Sequence, residues 1–322
     1  MALFQVTTPA SIDALFTDLS SFATTNGWTQ DSIDLGNNEL ELSRGNVFVQ
    51  FQHDDDNISV HHSLGFSGGA GPGTQTDDSG NGKVSTPFTS ERRVDNIGAG
   101  PFTNLFMHTD STTGTYIHCI LEYAPGLYRH FGFGTITKIG TWTGGEYAYG
   151  HHWLASGQAS ITDDRHTILF DSIHDDTNNE SATLHVEGLN DQPGASKWGI
   201  NWSGSTATTG TDTAGNARVA IVGTSRDGFL SNMAIWLRAN VSNGFIPMIP
   251  VQLFYRHTTP SPEQWRLLGT MKDIRMMNIF NLEPQEEFTV GSDTWKVYPM
   301  TRKANAGGQE ESKNMGIAYK KL

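Results

Sequence analysis

One stretch constrains the fold of this chain more than any other: Tyr128-Arg-His-Phe-Gly-Phe-Gly-Thr-Ile-Thr-Lys-Ile-Gly-Thr-Trp-Thr-Gly-Gly-Glu-Tyr-Ala-Tyr-Gly-His-His-Trp153. It holds seven aromatic residues, three histidines and six glycines in 26 positions. Aromatic rings suit a pleated, half-buried strand, and interleaved glycines mark turns or close approach of backbones. No nucleophile elbow, phosphate loop or zinc cage has this spacing. The segment reads as a glycine-cornered aromatic β-hairpin, core on one face and contact surface on the other. Trp142, Tyr147, Tyr149, His151, His152 and Trp153 are its candidate ligand or subunit contacts.

The rest of the chain agrees with a mainly β, α+β fold: antiparallel sheets with a β-sandwich-like core, one N-terminal helix and long loops. Ile12, Leu15, Phe16, Leu19, Phe22 and Ala23 recur at helical spacing, which predicts a helix over 8–25. Thr8 is its expected cap, Pro9 suits its first turn, and Asn26-Gly27 ends it. Three short alternating segments around 39–43, 47–51 and 58–62, joined by turns, predict an antiparallel meander. Residues 67–100 are rich in Gly, Ser, Thr and Asp and read as an extended loop or arm. Strands are expected within 102–123, at 167–170, at 217–223 and at 251–255, and a strand or short helix at 232–241. Prolines 247 and 250 mark the 251–255 strand as a sheet edge. Segments 267–275 and 288–299 read as strands, the second a hairpin turning at Gly291-Ser-Asp293. No linker divides the chain, so it reads as one large unit. Within it lie a helix plus meander (1–66), the arm (67–100), the main β core (101–260), and C-terminal strands with an assembly tail (261–322).

Charge excludes some functions. The 322 residues carry a formal net charge of −13, which disfavours nucleic acid and anionic membranes as partners. Arg302, Lys303, Lys313, Lys320 and Lys321 nevertheless make the C-terminal end basic, which suits a head-to-tail contact between copies. Nothing at the N-terminus resembles a signal peptide and no window approaches a membrane span, so synthesis in a cytoplasm without membrane insertion is expected. The single cysteine, Cys119, lies in an apolar run and reads as a small buried residue.

Twelve histidines invite a metal-dependent hydrolase, with His61-His62, His151-His152, His166 and His174 as candidates. Adjacent residues of a strand point to opposite faces, so a His-His pair does not converge on one ion. Asp54-Asp-Asp-Asn57 and Asp175-Asp-Thr-Asn-Asn-Glu180 lack the glycine and closing glutamate of a calcium loop and read as turns. Gly65-Phe-Ser-Gly-Gly69 has the letters of a nucleophile elbow, but Ala-Gly-Pro-Gly73 follows, which no helix tolerates. No catalytic residue, metal or cofactor is assigned.

Three places carry a resemblance. They are Leu121-Glu-Tyr-Ala-Pro-Gly-Leu-Tyr-Arg-His-Phe-Gly-Phe-Gly134, its continuation Lys138-Ile-Gly-Thr-Trp-Thr-Gly-Gly-Glu-Tyr147, and the terminus Val290-Gly-Ser-Asp-Thr-Trp-Lys-Val-Tyr-Pro-Met-Thr-Arg-Lys303 with Ser312-Lys-Asn-Met-Gly-Ile-Ala-Tyr-Lys-Lys321. Together these resemble a family of tailed-bacteriophage and prophage virion structural proteins. The resemblance implies a non-enzymatic tail, neck or baseplate component of the virion. Its implied partners are copies of itself, in a ring, trimer or hexamer, and other virion proteins. The alternative is a carbohydrate-binding receptor-recognition module of the tail tip, stacking host surface glycan on the rings of 128–153.

Overall fold

Ser11, and not Thr8, opens the one helix among the described residues, α1 (Ile12–Thr25). The Ser11 side chain accepts from Ala14 N at 3.1 Å, satisfying one of the free donors of the first turn. Thr8 loses this role because the backbone there is still bridging, with the Pro9 carbonyl accepting from Phe102 N. The far end follows expectation. Gly27 takes φ +84, and Trp28 N returns to the Ala23 carbonyl at 3.0 Å, the hydrogen bond of a left-handed glycine cap.

The computed structural model describes residues 3–63, 93–94, 97–110, 114–142, 144–153, 167–168, 184–186, 218–221, 247–257, 264–303 and 315–321. Before the helix lies β1 (Phe4–Thr7). After it come β2 (Thr29–Asp34), β3 (Glu39–Arg44), β4 (Val47–His53), β5 (Ile58–Ser63) and β6 (Arg93–Val94). Next are β7 (Asn104–His108), β8 (Tyr116–Ala124), β9 (Leu127–Thr135), β10 (Thr137–Lys138) and β11 (Glu146–Tyr149). Short strands β12 (His152–Trp153), β13 (Thr167–Ile168), β14 (Leu184–Val186) and β15 (Arg218–Ile221) follow. The chain ends with β16 (Ile249–His257), β17 (Gln264–Asn278), β18 (Glu287–Val290), β19 (Asp293–Pro299) and β20 (Met315–Lys320). The centre of the arm, the 162–165 turn, the polar run 175–216 apart from Leu184–Val186, the segment 232–241, and residues His166 and His174 lie outside the described residues.

The strands pair antiparallel into three main sheets, and β12 pairs with β13. An outer sheet runs β2-β3-β4-β5-β6, the expected meander with an extra strand at each end. A middle sheet runs β1-β7-β8-β9-β11-β14. A facing sheet runs β15-β16-β17-β20-β19-β18, with β10 also on β17. The middle sheet is buried on both sides. Leu105, Met107, Ile117, Cys119, Phe131 and Phe133 pack with α1 and the outer sheet. Phe106, Tyr116, Ile120, Tyr128, Tyr147 and Tyr149 pack with the facing sheet. Period-two alternation therefore separates two cores, one on each face of the sheet. Cys119 belongs to the helix side, where burial pushes its thiol well up, and no base faces it from His118, which points the other way.

Two expectations need correction. β16 is not an edge strand: it lies between β15 and β17. Its described pairing with β15 spans only Leu253 to Arg256, so Pro250 sits beyond that ladder, where a missing donor costs nothing. The basic end of the chain, read as an assembly tail, is used inside the fold: Met315–Lys320 pairs with β17 on one side and β19 on the other, and Ile317, Ala318 and Tyr319 are fully buried. Among the described residues no helix is long and apolar enough to cross a membrane.

Ending the chain at Lys303 should therefore abolish cooperative folding, because it removes an internal strand of the facing sheet. Lys320→Ala with Lys321→Ala keeps the strand and removes only half-exposed ion pairs, for about 1 kcal/mol or less. Urea titration followed by circular dichroism measures both.

Candidate functional site: a histidine and tyrosine seam between two sheets

The hairpin of residues 128–153 is present as β9 and β11, paired from Glu146↔Thr135 to Tyr149↔Gly132. Its candidate contact residues go largely to the interior. Tyr147, Tyr149 and His151 are fully buried, so within one copy they offer no surface to a ligand or neighbour. The reason is that the hairpin lies in the middle sheet, where both faces are covered. Trp142 is half-buried against the core between the middle and facing sheets, with Lys138 Nζ 5.3 Å from its ring centroid. His152 and Trp153 follow in the backbone of β12.

The glycines of Phe131-Gly-Phe-Gly134 explain how this face is built. Phe131 and Phe133 turn towards the helix; Gly132 and Gly134 turn towards the facing sheet. Across the strands, Gly132 lies between His118 and Tyr149, and Gly134 lies between Tyr116 and Tyr147. Neighbouring rings fill the space above each glycine. A Cβ on Gly132 would stand 2.6 Å from the Ile117 carbonyl and 2.9 Å from the Tyr149 ring. On Gly134 it would stand 2.4 Å from Tyr116 Cα, at φ +148. Glycine thus lets Tyr149 lean over β9 until its hydroxyl meets His118 Nδ1 at 2.9 Å.

Three histidines from three neighbouring strands then cross to the facing sheet. His118 Nε2 meets the Lys272 carbonyl at 3.1 Å. His130 Nε2 meets the Pro299 carbonyl at 2.9 Å, and His108 Nδ1 meets the Lys320 carbonyl at 3.3 Å. A carbonyl only accepts, so the imidazole nitrogen facing it carries the proton. The second nitrogen is left to accept from a tyrosine: Tyr149 for His118, Tyr319 for His130 at 2.8 Å, and Tyr298 for His108 at 3.3 Å.

Each imidazole is held neutral. Burial first drives His118 from 6.5 down to about 3, against the pull of the Lys272 carbonyl and with help from His130. Burial lowers His108 to about 3, opposed by the Lys320 carbonyl and aided by His118, Lys296 and Lys321. His130 falls to about 4, again by burial, opposed by the Pro299 carbonyl and aided by Arg129. Burial likewise raises Tyr149, Tyr298 and Tyr319. At the far end, the buried Glu122 carboxylate accepts from Asn104 Nδ2 at 2.6 Å, Gly126 N at 2.9 Å and Gln285 Nε2 at 3.1 Å.

This arrangement is a neutral, buried tie between sheets. Sequence reasoning placed the rings and His130 on one hairpin but missed His108, Tyr298 and Tyr319 as their partners. Only the alternation of His108 with Met107 and of Tyr319 with Ala318 carried a signal. Among the described residues no group of three or more His, Cys, Asp or Glu is arranged to hold a metal ion. His61 and His62 are successive positions of β5, opposite Gln50 and Val49. Asp54 turns back on its own loop, accepting from Asp56 N and Asn57 N.

The seam makes two predictions. Gly134→Ala should destabilise the fold by about 3 kcal/mol or more, since left-handed strain adds to a backbone clash. Gly126→Ala, at φ +75 with open space around it, should cost only about 1 kcal/mol. Thermal melts compare the two. The second concerns pH. A folded value below the unfolded 6.5 means the unfolded chain takes up protons first as pH falls. The stability these three histidines contribute is complete above about pH 6.5 and is lost from there down to about pH 3–4. The slope is up to about 1.4 kcal/mol per pH unit for each histidine. His118→Gln should remove about a third of that slope between pH 6 and 4, read from urea midpoints.

Compared with known proteins, the chain matches no protein-family model and no curated protein.

Proposed function

We propose that this chain is a structural subunit of a tailed-phage virion, in the tail, neck or baseplate, working as one copy of a symmetric oligomer. The observation that carries the reading is the seam. The residue types that suggested chemistry at 128–153 are spent on locking two sheets together with neutral hydrogen bonds, which suits a rigid building block. The segments that carry the resemblance to virion proteins supply β8, β9 and β11 of the middle sheet and β18, β19 and β20 of the facing sheet. They are thus the scaffold on which such a subunit would depend. The glycan-binding alternative is weakened, because two of its proposed stacking rings, Tyr147 and Tyr149, are enclosed. Contacts to other copies fall to exposed features such as Ile139, Phe280 and Val290, and to the arm read from sequence at 67–100. Rings of this kind form through repeated heterologous contacts.

Native mass spectrometry with light scattering on the full chain tests the proposal. A closed oligomer of threefold or sixfold symmetry is expected, lost when residues 67–90 are replaced by a short Gly-Ser linker while the melting temperature holds. A monomer at every concentration would overturn it.

A further inference from the structure

The hydrophobic cores divide along the sequence. Every buried residue of the helix-side core lies between Ile12 and Ala148. A small core of Met277, Ile279, Trp295, Val297 and Ala318 belongs to the facing sheet alone. Only the core around the seam draws on both parts of the chain, from Phe106 to Tyr149 and from Val251 to Tyr319. Among the described residues one backbone ladder joins the two parts, the rungs Thr137↔Thr270 and Lys138↔Gly269. We infer that the facing sheet is an acid-released flap: as pH falls, β16–β20 leave the middle sheet while α1, the outer sheet and the middle sheet stay folded.

The seam is where positive charge would collect. His108 and His118 stand directly opposite each other on β7 and β8, and His130 of β9 stands opposite Ile120, two positions along β8 from His118. All three imidazoles are buried and pack on one ring of the facing sheet, Tyr319, at centroid distances of 5.4, 5.4 and 5.8 Å. Like charges opposite one another on neighbouring strands repel, and burial keeps salt from screening them. The cations nearby add to this: Lys296 and Lys321 act on His108, and Arg129 acts on His130. The other ionisable neighbours are the phenols Tyr116, Tyr147, Tyr149 and Tyr298, with His151, whose Nδ1 accepts from His130 N at 3.3 Å. The Asp273 carboxylate is one ring removed, since it accepts from the Tyr116 hydroxyl at 2.7 Å and Tyr116 packs on His118.

The facing sheet is irregular at this point. The pairing of β17 with β16 jumps from Pro250↔Arg275 to Gln252↔Thr270, and its pairing with β20 begins only at Ile274. Residues 271–273 therefore bulge, with Asp273 at φ 54, and the Lys272 carbonyl turns inward to His118.

Acid acts oppositely on the two sides of the middle sheet. Opening returns the seam imidazoles to water, where each titrates near 6.5, against about 3 to 4 when enclosed. Between those limits the open form binds up to about three more protons, so its population rises by up to about 1,000-fold per pH unit. On the helix side the buried His53 directs Nε2 at the Asp13 carboxylate at 2.9 Å, so a proton there meets an opposite charge. In the outer sheet Glu39 is raised to about 7, by burial first and then by Glu41 and Asp34. A carboxyl raised in the folded state holds its proton more tightly folded than unfolded, so lowering pH from 7 stabilises that sheet.

Hydrogen exchange on the full chain, resolved by peptide mass spectrometry and corrected for the intrinsic rate at each pH, tests the flap from pH 7 to 4. Segments 264–278 and 293–299 should lose at least about tenfold in protection at a pH where segments 12–25 and 39–53 lose less than about twofold. His118→Gln keeps a donor and an acceptor but takes up no proton, and should make the facing-sheet loss up to about tenfold shallower per pH unit. His53→Gln should leave that loss unchanged. Simultaneous loss in all four segments, earlier loss in 12–25, or an unchanged slope in folded His118→Gln overturns the inference. Should His118→Gln not fold, the order of loss in the wild-type chain decides alone. The assembly reading is tested by oligomer mass at neutral pH and is separate from this result.

Discussion

The fold depends on three uncharged imidazoles. Where β17 bulges and where β19 and β20 end, the facing sheet turns carbonyls into the gap between sheets. A buried carbonyl without a donor costs more than a net hydrogen bond returns. Aliphatic side chains could fill the volume but could not answer those oxygens. His108, His118 and His130 answer them with one nitrogen and use the other to bind a tyrosine, so each ring satisfies both sides of the interface. Neutrality is the condition of the arrangement, since a charged imidazole here would stand in a dry, low-dielectric space.

The middle sheet makes that arrangement affordable. Its helix-side face carries Phe131, Phe133 and the aliphatic residues that meet Phe16 of α1 and Phe51 of β4, with the edge-to-face pair Trp28 and Phe133 at 4.7 Å. Its other face is free to be polar because the hydrophobic burden has been met. Glycines 132 and 134 are the hinge between these roles. They thin the strand where tall rings on both neighbours need to meet.

Much of this was legible in the sequence. The apolar face of α1 followed from spacing, the Asn26-Gly27 stop from glycine chemistry, and the meander and the 288–299 hairpin from alternation and turns. Strand β2 was missed because Thr29-Gln-Asp31 is an exposed edge with no apolar alternation to announce it. The helix start was misplaced because Thr8 and Ser11 are equally good caps, and only the tertiary bond from Phe102 N to the Pro9 carbonyl separates them. For Tyr147, Tyr149 and His151 the contact reading gave way for a clearer reason. Tyrosine and histidine look half-polar in a sequence, yet a strand enclosed on both faces can bury them when the partner carbonyls and hydroxyls lie more than 100 residues away. Those partners, at 272, 298, 299, 319 and 320, cannot be inferred from local pattern.

That separation has a consequence for how the chain is made. His108 reaches a carbonyl 212 residues further on, and His130 reaches Tyr319, 189 residues on. During synthesis the helix, outer sheet and most of the middle sheet emerge long before their last partners. In that interval one face of the middle sheet stands open to water. Because that face carries imidazoles and phenols, water can hydrate it, and an exposed intermediate of this composition resists sticking to its neighbours. The seam that later excludes solvent is thus built from groups that tolerate waiting in it.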